Sequence, residues 1–574
     1  MAVIAVPWDD KQTGAVHRIC TATGLRVDLA AQRLIIANAV AAVVFLAIGG
    51  LFALLIALTR WQTIHLLPAI WFYRSITAHG FDMLVAWIVF FEVAGLYFGS
   101  TVLLNARLVK PRLGWIAFAL MLLGALMVNG IVLAGKADVM FTAYVPLKAH
   151  PLFYLGLVLF AVGALIAVGL FFATIVIAKV ERRYQGSLPL VVYGLVTAGV
   201  LATYTLISGA LTFVPALFWS LGWQASFDPG YYRNLFWSFG HPAQQVNLAA
   251  MVAIWYSLAA ITTGASPLNE KFSRLAFILY LLFINLGSVH HLLVDPGLSF
   301  TYKALNTSYA MYLAVLGSLM HAFSIPAAIE VSLRRRGYTQ GLLGWLRKAP
   351  WREPGFSALV ISMFLFGWMG GVTGVTIGTE QLNMAIHNTL RVPGHFHATV
   401  VSGTTLAFMG MTYYLIPLIF RRELRLKRLA SWQPYVFGAG MSLVTIGMIA
   451  SGIQGVSRRH WDITFTQAVF PASIPGTVQL TLAIFAIGAL IAIAGGMMYI
   501  AVVLSSILSR RVHEPKAATL VIGPVDMTPH EHDEEDKRLQ PKGTFVLVLA
   551  FLLFFATYYF ANWWLLGNQS WIVR

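Results

Sequence analysis

From residue 34 to residue 567, long apolar runs alternate with short polar ones. At about 1.5 Å of rise per residue the runs are long enough to cross about 30 Å of hydrocarbon as helices. They fall at roughly 34–59, 80–105, 113–135, 150–178, 189–222, 230–262, 273–295, 303–333, 356–378, 391–420, 430–453, 474–508 and 543–567, which predicts thirteen spans. The fold class is therefore an all-α polytopic membrane protein. Residues 1–33 read as a polar arm, 34–508 as a core of twelve spans, 509–542 as a solvated linker, and 543–574 as the last span with a short tail. The arm carries Asp9, Asp10 and Lys11 ahead of the first span, which argues against a cleavable signal peptide.

Composition agrees with this pattern. Hydrophobic residues make up 59% of the chain and charged ones 11%, so lipid is the solvent for most side chains. Lys and Arg gather in alternate connections, as in Arg334-Arg335-Arg336 and Arg421-Arg422. Retention of basic residues on the cytoplasmic side then places the N-terminus inside and the C-terminus outside. Anionic lipid heads account for the net charge of +17, and no nucleic-acid partner is needed. Cys20 is the single cysteine, which excludes disulfides, iron–sulfur clusters and a thiolate-bridged dicopper site. Redox chemistry here must rest on histidine-bound metals.

Histidines occur where the hydrophobic pattern would least tolerate them. Val392-Pro393-Gly394-His395-Phe396-His397 opens the tenth run, and positions two apart on a helix project about 200° apart, so the two imidazoles serve opposite faces. His79-Gly80 is expected at the outer end of the second span, with Gly80 leaving room for something flat. His241-Pro242 lies in the sixth span beside Gln244, Gln245 and Asn247. His290-His291 lies near the outer end of the seventh, ahead of Asp295-Pro296-Gly297. All six imidazoles fall in the outer half of the membrane, and such a set at one depth points to metal chemistry. Polar residues satisfying one another between helices are the plainer alternative, and a non-redox transporter that uses its histidines for protons is the remote one.

With these residues in view, the chain resembles subunit I of the haem-copper oxidase and nitric oxide reductase superfamily over nearly its whole length. The resemblance rests on His79-Gly80, Gly240-His241-Pro242, His290-His291, Pro393-Gly394-His395-Phe396-His397 and Arg458-Arg459, and is strongest toward the B-type oxidases of prokaryotic cytoplasmic membranes. It implies that His79 and His397 ligate a low-spin haem and His395 a high-spin haem, both b-type or related. His241, His290 and His291 would hold a copper, or alternatively a non-haem iron. Arg458, Arg459 and His387 would hold haem propionates. A partner subunit bearing a cupredoxin or c-type haem domain would deliver electrons from outside.

One departure bears on the substrate. The resemblance places a tyrosine four residues after His241 in common oxygen reductases, and Gln245 stands there instead. A second known tyrosine position is occupied by Ile284, and Tyr280 lies a turn further away. Joining two nitric oxide molecules needs no O–O cleavage and no phenol radical, so the sequence points to a nitric oxide reductase, with a B-type-like oxygen reductase as the alternative. Protons are expected from the cytoplasm past Tyr256, about 22 Å along the helix from His241 and about 60° around it. Thr307, Ser308, Tyr309 and Tyr312 are its expected companions.

Overall fold

The computed structural model describes residues 17–20, 24–184, 186–469, 471, 475–510 and 540–568, with backbone alone at 284–287. Asp9, Asp10, Lys11, nearly all of the 509–542 linker with its acidic run, and the last residues of the tail lie outside the described residues. A small hairpin, β1 (His17–Ile19) and β2 (Arg26–Asp28), precedes the helices. Asp28 then caps the first of them by accepting from the amides of Ala30 and Ala31. Cys20 is buried and unpaired.

The main helices among the described residues are α1 Leu29–Arg60, α2 Ala69–Thr101, α3 Pro111–Leu133, α4 Pro151–Val180, α5 Leu190–Leu221, α6 Pro229–Thr263, α7 Glu270–Leu279, α8 Phe300–Arg335, α9 Pro354–Gly378, α10 Arg391–Phe420, α11 Lys427–Ile453, α12 Thr477–Ile507 and α13 Lys542–Gly567, with short turns of helix at Gly344–Arg347 and Glu380–Ile386. Twelve of the numbered helices, all but α7, are long and apolar enough to cross a membrane. The seventh expected span, 273–295, is not one continuous α-helix: α7 stops at Leu279, and the chain continues as a π turn, Tyr280–Ile284, and a 3₁₀ stretch, Asn285–His291. The expected run over 273–295 is therefore three helical pieces, the last of which presents His290 and His291.

Packing follows from small residues. On α11 and α12, a β-carbon at Gly440 would fall 2.3 Å from the Ala492 nitrogen and one at Gly495 would fall 2.6 Å from the Phe437 nitrogen, so the two backbones approach closely. Helix α10 is almost wholly buried, whereas α13 is almost wholly exposed. The start of α13 is tied to α8 by Glu330, which accepts from the amides of Gly543 (3.0 Å) and Thr544 (2.6 Å) and pairs with Arg334 at 2.8 Å. These orphan amides at a helix start suit a carboxylate.

Candidate metal centre

All six histidines of the predicted constellation line one cavity of about 680 Å³ inside the bundle. His79 sits ten residues inside α2, which begins at Ala69 and not near residue 75–80 as the apolar pattern predicted. Its Nδ1 bonds the carbonyl of Gly49 at 3.0 Å, and Nδ1 of His397 bonds the carbonyl of Pro393 at 2.7 Å. A carbonyl only accepts, so each Nδ1 carries the proton and each Nε2 keeps its lone pair. The two rings lie 6.2 Å apart between centroids and within 16° of parallel. That spacing fits one ion bound by each ring through a bond of about 2 Å. The room expected beside Gly80 is taken by Phe141, whose side chain would meet a β-carbon there at 2.5 Å.

His395 turns to another helix. Its Nδ1 bonds the carbonyl of Gly370 at 2.9 Å and lies 3.1 Å from Oγ1 of Thr373, both on α9. Residues Leu365–Gly371 of α9 form a π turn, which shifts the carbonyl ladder just where that acceptor is needed. Gly374 completes the seat, since a β-carbon there would fall 2.9 Å from Cε1 of His395. His395 is anchored by α9, while the ring of His397 lies against that of His79.

His241, His290 and His291 form a set whose ligand atoms all lie within 4.8 Å of one another. His291 Nε2 is 3.3 Å from His241 Nδ1, close to the separation of two nitrogens each about 2.0 Å from one tetrahedral ion. Trp237 stacks flat on His291 at 3.7 Å and anchors its own indole N–H on Tyr144 at 2.7 Å. Gln245 lines the cavity, yet its Nε2 lies 3.2 Å from Nε2 of His241. The amide thus meets the ring nitrogen opposite the one that faces His291, an arrangement that spacing along the helix does not reveal. The hydroxyl of Tyr280 is paired with Ser318 at 3.0 Å, and the side chain of Ile284 lies outside the described residues.

Cationic groups close one end of the cavity. Arg458 and Arg459 both line it, and among the described residues neither has a carboxylate within 4.0 Å. Burial and then the like charge of Arg459 bring Arg458 down to about 9. A buried guanidinium without a counter-charge is costly, and an anionic group in the cavity would relieve it. His387 does not join them at the cavity wall. It borders a void of about 10 Å³ behind the three-histidine set, bonds Asn383 Oδ1 at 3.1 Å, and is pushed down to about 4 by burial and the neighbouring Arg458.

The expected proton-path companions of Tyr256 are elsewhere. Thr307, Ser308, Tyr309 and Tyr312 lie at the start of α8, and Tyr309 and Tyr312 are exposed. Tyr256 lies toward the end of α6, and α8 runs parallel to α6, with Tyr256 beside His321 and Thr263 beside Ser332, so the start of α8 lies at the other end of the bundle. Its hydroxyl bonds Ser273 at 2.9 Å and Nδ1 of His321 at 3.0 Å instead. His321 is buried with Nε2 unpartnered, and its ring packs on Tyr280 at 5.5 Å. Tyr280 and Ser318 line the cavity, so the group continues to the histidine level. His321 and Ser318 stand on α8 where the sequence sets a histidine between serines, a pattern that reads as a hydrogen-bonded proton or water path.

The residues present fit two histidine-bound iron centres and one three-imidazole metal. Residues 33–490 match the family model described as Cytochrome C and Quinol oxidase polypeptide I. The chain is 30% identical over 481 residues to cytochrome c oxidase subunit 1 of Thermus thermophilus, covering 82% of this chain and 81% of that one. It is 23% identical over 402 residues to quinol oxidase subunit 1 of Bacillus spizizenii, covering 67% of this chain and 58% of that one. Among solved structures, a heme-copper terminal oxidase dimer superposes with a TM-score of 0.81 at 25% identity, covering 95% of this chain and 94% of that chain. With the matched span, the fold and the histidine constellation in agreement, the chain belongs to the cytochrome c and quinol oxidase polypeptide I family, subunit I of the haem-copper oxidase superfamily.

Proposed function

We propose that this chain is the catalytic subunit of a membrane nitric oxide reductase, joining two nitric oxide molecules with two electrons and two protons to give nitrous oxide and water. The observation that carries this reading is Gln245, an amide set against Nε2 of His241 at 3.2 Å. An amide can orient an imidazole and donate to developing negative charge, but it cannot give up the hydrogen atom that O–O cleavage takes from a phenol. His79 and His397 would hold a low-spin haem, His395 a high-spin haem, and His241, His290 and His291 a copper, since three neutral imidazoles without a carboxylate suit copper better than iron. When bound, these groups pass electrons and bind the gas. The chain's own residues do the rest: Arg458 and Arg459 neutralise propionates, Gln245 fixes His241, and Tyr256 with Ser273 and His321 carries protons from the cytoplasmic side.

Electrons would enter from a subunit II-like partner with a cupredoxin or c-type haem domain on the outer face, because the lone Cys20 cannot build a thiolate copper site. The setting is a prokaryotic cytoplasmic membrane, N-terminus inside. Oxygen reduction is the second reading, favoured by the relatives' names as cytochrome c and quinol oxidases. Turnover of the purified complex with each gas separates the two. Nitrous oxide formed from nitric oxide, with slow oxygen consumption, is the expected result; fast oxygen reduction without nitrous oxide overturns the proposal. Absence of haem absorption would leave only the transporter reading.

A further inference from the structure

Helix α10 carries a charge that nothing above uses. Arg391 lies one turn before His395, about 6 Å along the same helix, and is 0% exposed. Its chain neighbours Leu390 and Val392 line the histidine cavity. Its own side chain lies behind that wall, where Nη2 donates to Oγ1 of Thr376 on α9 at 3.0 Å and to the hydroxyl of Tyr558 on α13 at 3.2 Å. Helix α11 closes another side, since a β-carbon at Gly452 would fall 2.1 Å from the Arg391 nitrogen. Among the described residues no carboxylate lies within 4.0 Å of this guanidinium, and its Nε and Nη1 have no hydrogen-bond partner. A cation held in this way is expensive inside a membrane bundle, and an apolar side chain of similar volume would avoid the cost.

The contacts of Arg391 run parallel to those of His395. Residues four apart share a helix face, and both side chains meet α9 on residues three apart, Gly370, Thr373 and Thr376. The hydroxyl of Thr376 donates to the carbonyl of Thr373 at 2.7 Å, and the hydroxyl of Thr373 lies 3.1 Å from Nδ1 of His395. The guanidinium is therefore fixed relative to the ring, and its charge is felt there across a low-dielectric interior. Helix α13 supplies the other hold. It is almost wholly exposed elsewhere, yet Tyr558 reaches Arg391 and the next residue, Tyr559, places its hydroxyl 3.3 Å from Oγ1 of Thr379 just beyond α9.

We propose that Arg391 is a positioning residue acting through His395: a fixed cation, held by Thr376 and by Tyr558 of α13, that favours electron uptake by the iron this histidine would ligate. A positive charge near the ligand destabilises the more positive, oxidised iron and so stabilises the reduced one. The low-spin site feels less of it, because His397 leaves α10 on the opposite face. No bond is made or broken and no proton moves; the electron is the one the redox reaction already delivers. The inference rests on the reading of His395 as a haem ligand and holds for either gas, since both reactions begin with reduction of that iron.

The test is a redox titration of the purified complex, with magnetic circular dichroism separating high-spin from low-spin iron. Arg391→Met should make the high-spin iron about tenfold harder to reduce, a fall of about 59 mV for one electron, while the low-spin iron stays within about twofold of wild type. Arg391→Lys keeps the charge and should stay within about twofold at both. Tyr558→Phe and Thr376→Val each free one side of the guanidinium and should give a smaller fall of the same sign, roughly two- to fivefold. An unmoved high-spin midpoint in Arg391→Met, a Lys variant that falls as far as the Met one, or an equal fall at both irons overturns the proposal. Should Arg391→Met fail to assemble, the Tyr558→Phe and Thr376→Val pair decides, and two unshifted midpoints overturn it. Those results leave the haem reading standing, whereas a wild-type complex without high-spin haem iron overturns both.

Discussion

The paired-histidine site and the three-histidine site use the same side chain but hold it in different ways. His79 and His397 spend their Nδ1 atoms on main-chain carbonyls, and so does His395. The three-histidine set is held by side chains: Gln245 on His241, Trp237 on His291, and the imidazoles on one another. A carbonyl contact is set by the backbone and survives most substitutions nearby, whereas a side-chain contact can be changed by one residue. The first kind of site keeps a constant electronic task, and the second can be retuned toward a different substrate without disturbing the fold.

The most severe break in that comparison removes a ligand. His397→Ala or His79→Ala should eliminate the low-spin haem spectrum and lower turnover by more than about 100-fold, while the three-histidine metal stays bound. His290→Ala should do the reverse, losing the non-haem metal by elemental analysis with the low-spin spectrum intact. If either substitution removes both centres, the two sites are not held independently and the contrast fails.

Gln245→Leu comes next. It removes the amide behind His241 and should cut nitric oxide reduction by roughly 10–100-fold, the usual cost of losing a partner of a metal-ligating histidine. Metal content should persist. A variant with normal turnover would mean that the amide at this position carries no chemistry, and the oxygen-reductase reading would regain ground.

Much of this arrangement can be read from the sequence because the penalties are large. An imidazole in hydrocarbon must have a partner, so His79, His241, His290, His291, His395 and His397 announce themselves, and most spans follow from apolar length, although α2 begins eleven residues ahead of its apolar run. The π turns at Asp82–Ala86, Tyr280–Ile284 and Leu365–Gly371 leave no such mark, because one extra residue in a turn does not alter hydrophobicity. They decide how α7 ends and which carbonyl meets His395. Ring nitrogens are equally silent in sequence, so the approach of Gln245 to Nε2 of His241 emerges only from the packed rings. The misplaced proton-path residues have a different cause: hydroxyl content drew attention to 307–312, although the direction of α8 sets that stretch at the opposite end from Tyr256.

Below the ligands and Gln245 in effect stands the approach to the cavity. Tyr256→Phe removes the hydroxyl shared by Ser273 and His321 and should slow turnover about tenfold with both haem spectra unchanged, less than the 10²–10⁴ of a direct acid–base group because water can bridge the gap. A normal rate would move the path away from this group.

The smallest effect sharpens the comparison most, because it separates a ring from its anchor. Trp237 gives the three-histidine site two things: a flat face on His291 at 3.7 Å and an N–H to Tyr144 at 2.7 Å. Trp237→Phe keeps an aromatic face and loses the hydrogen bond, a change of about 1 kcal/mol. Turnover should fall by no more than a few-fold, roughly that energy's equivalent in rate. Trp237→Leu loses both, leaving His291 free to tilt, and should lower metal occupancy as well as rate. If the Phe and Leu variants behave alike, the hydrogen bond to Tyr144 is what holds His291 through its neighbour. If Phe is mild and Leu severe, the stacked face is the support, and the three-histidine site is tuned by side-chain surfaces where the paired site is fixed by main-chain carbonyls.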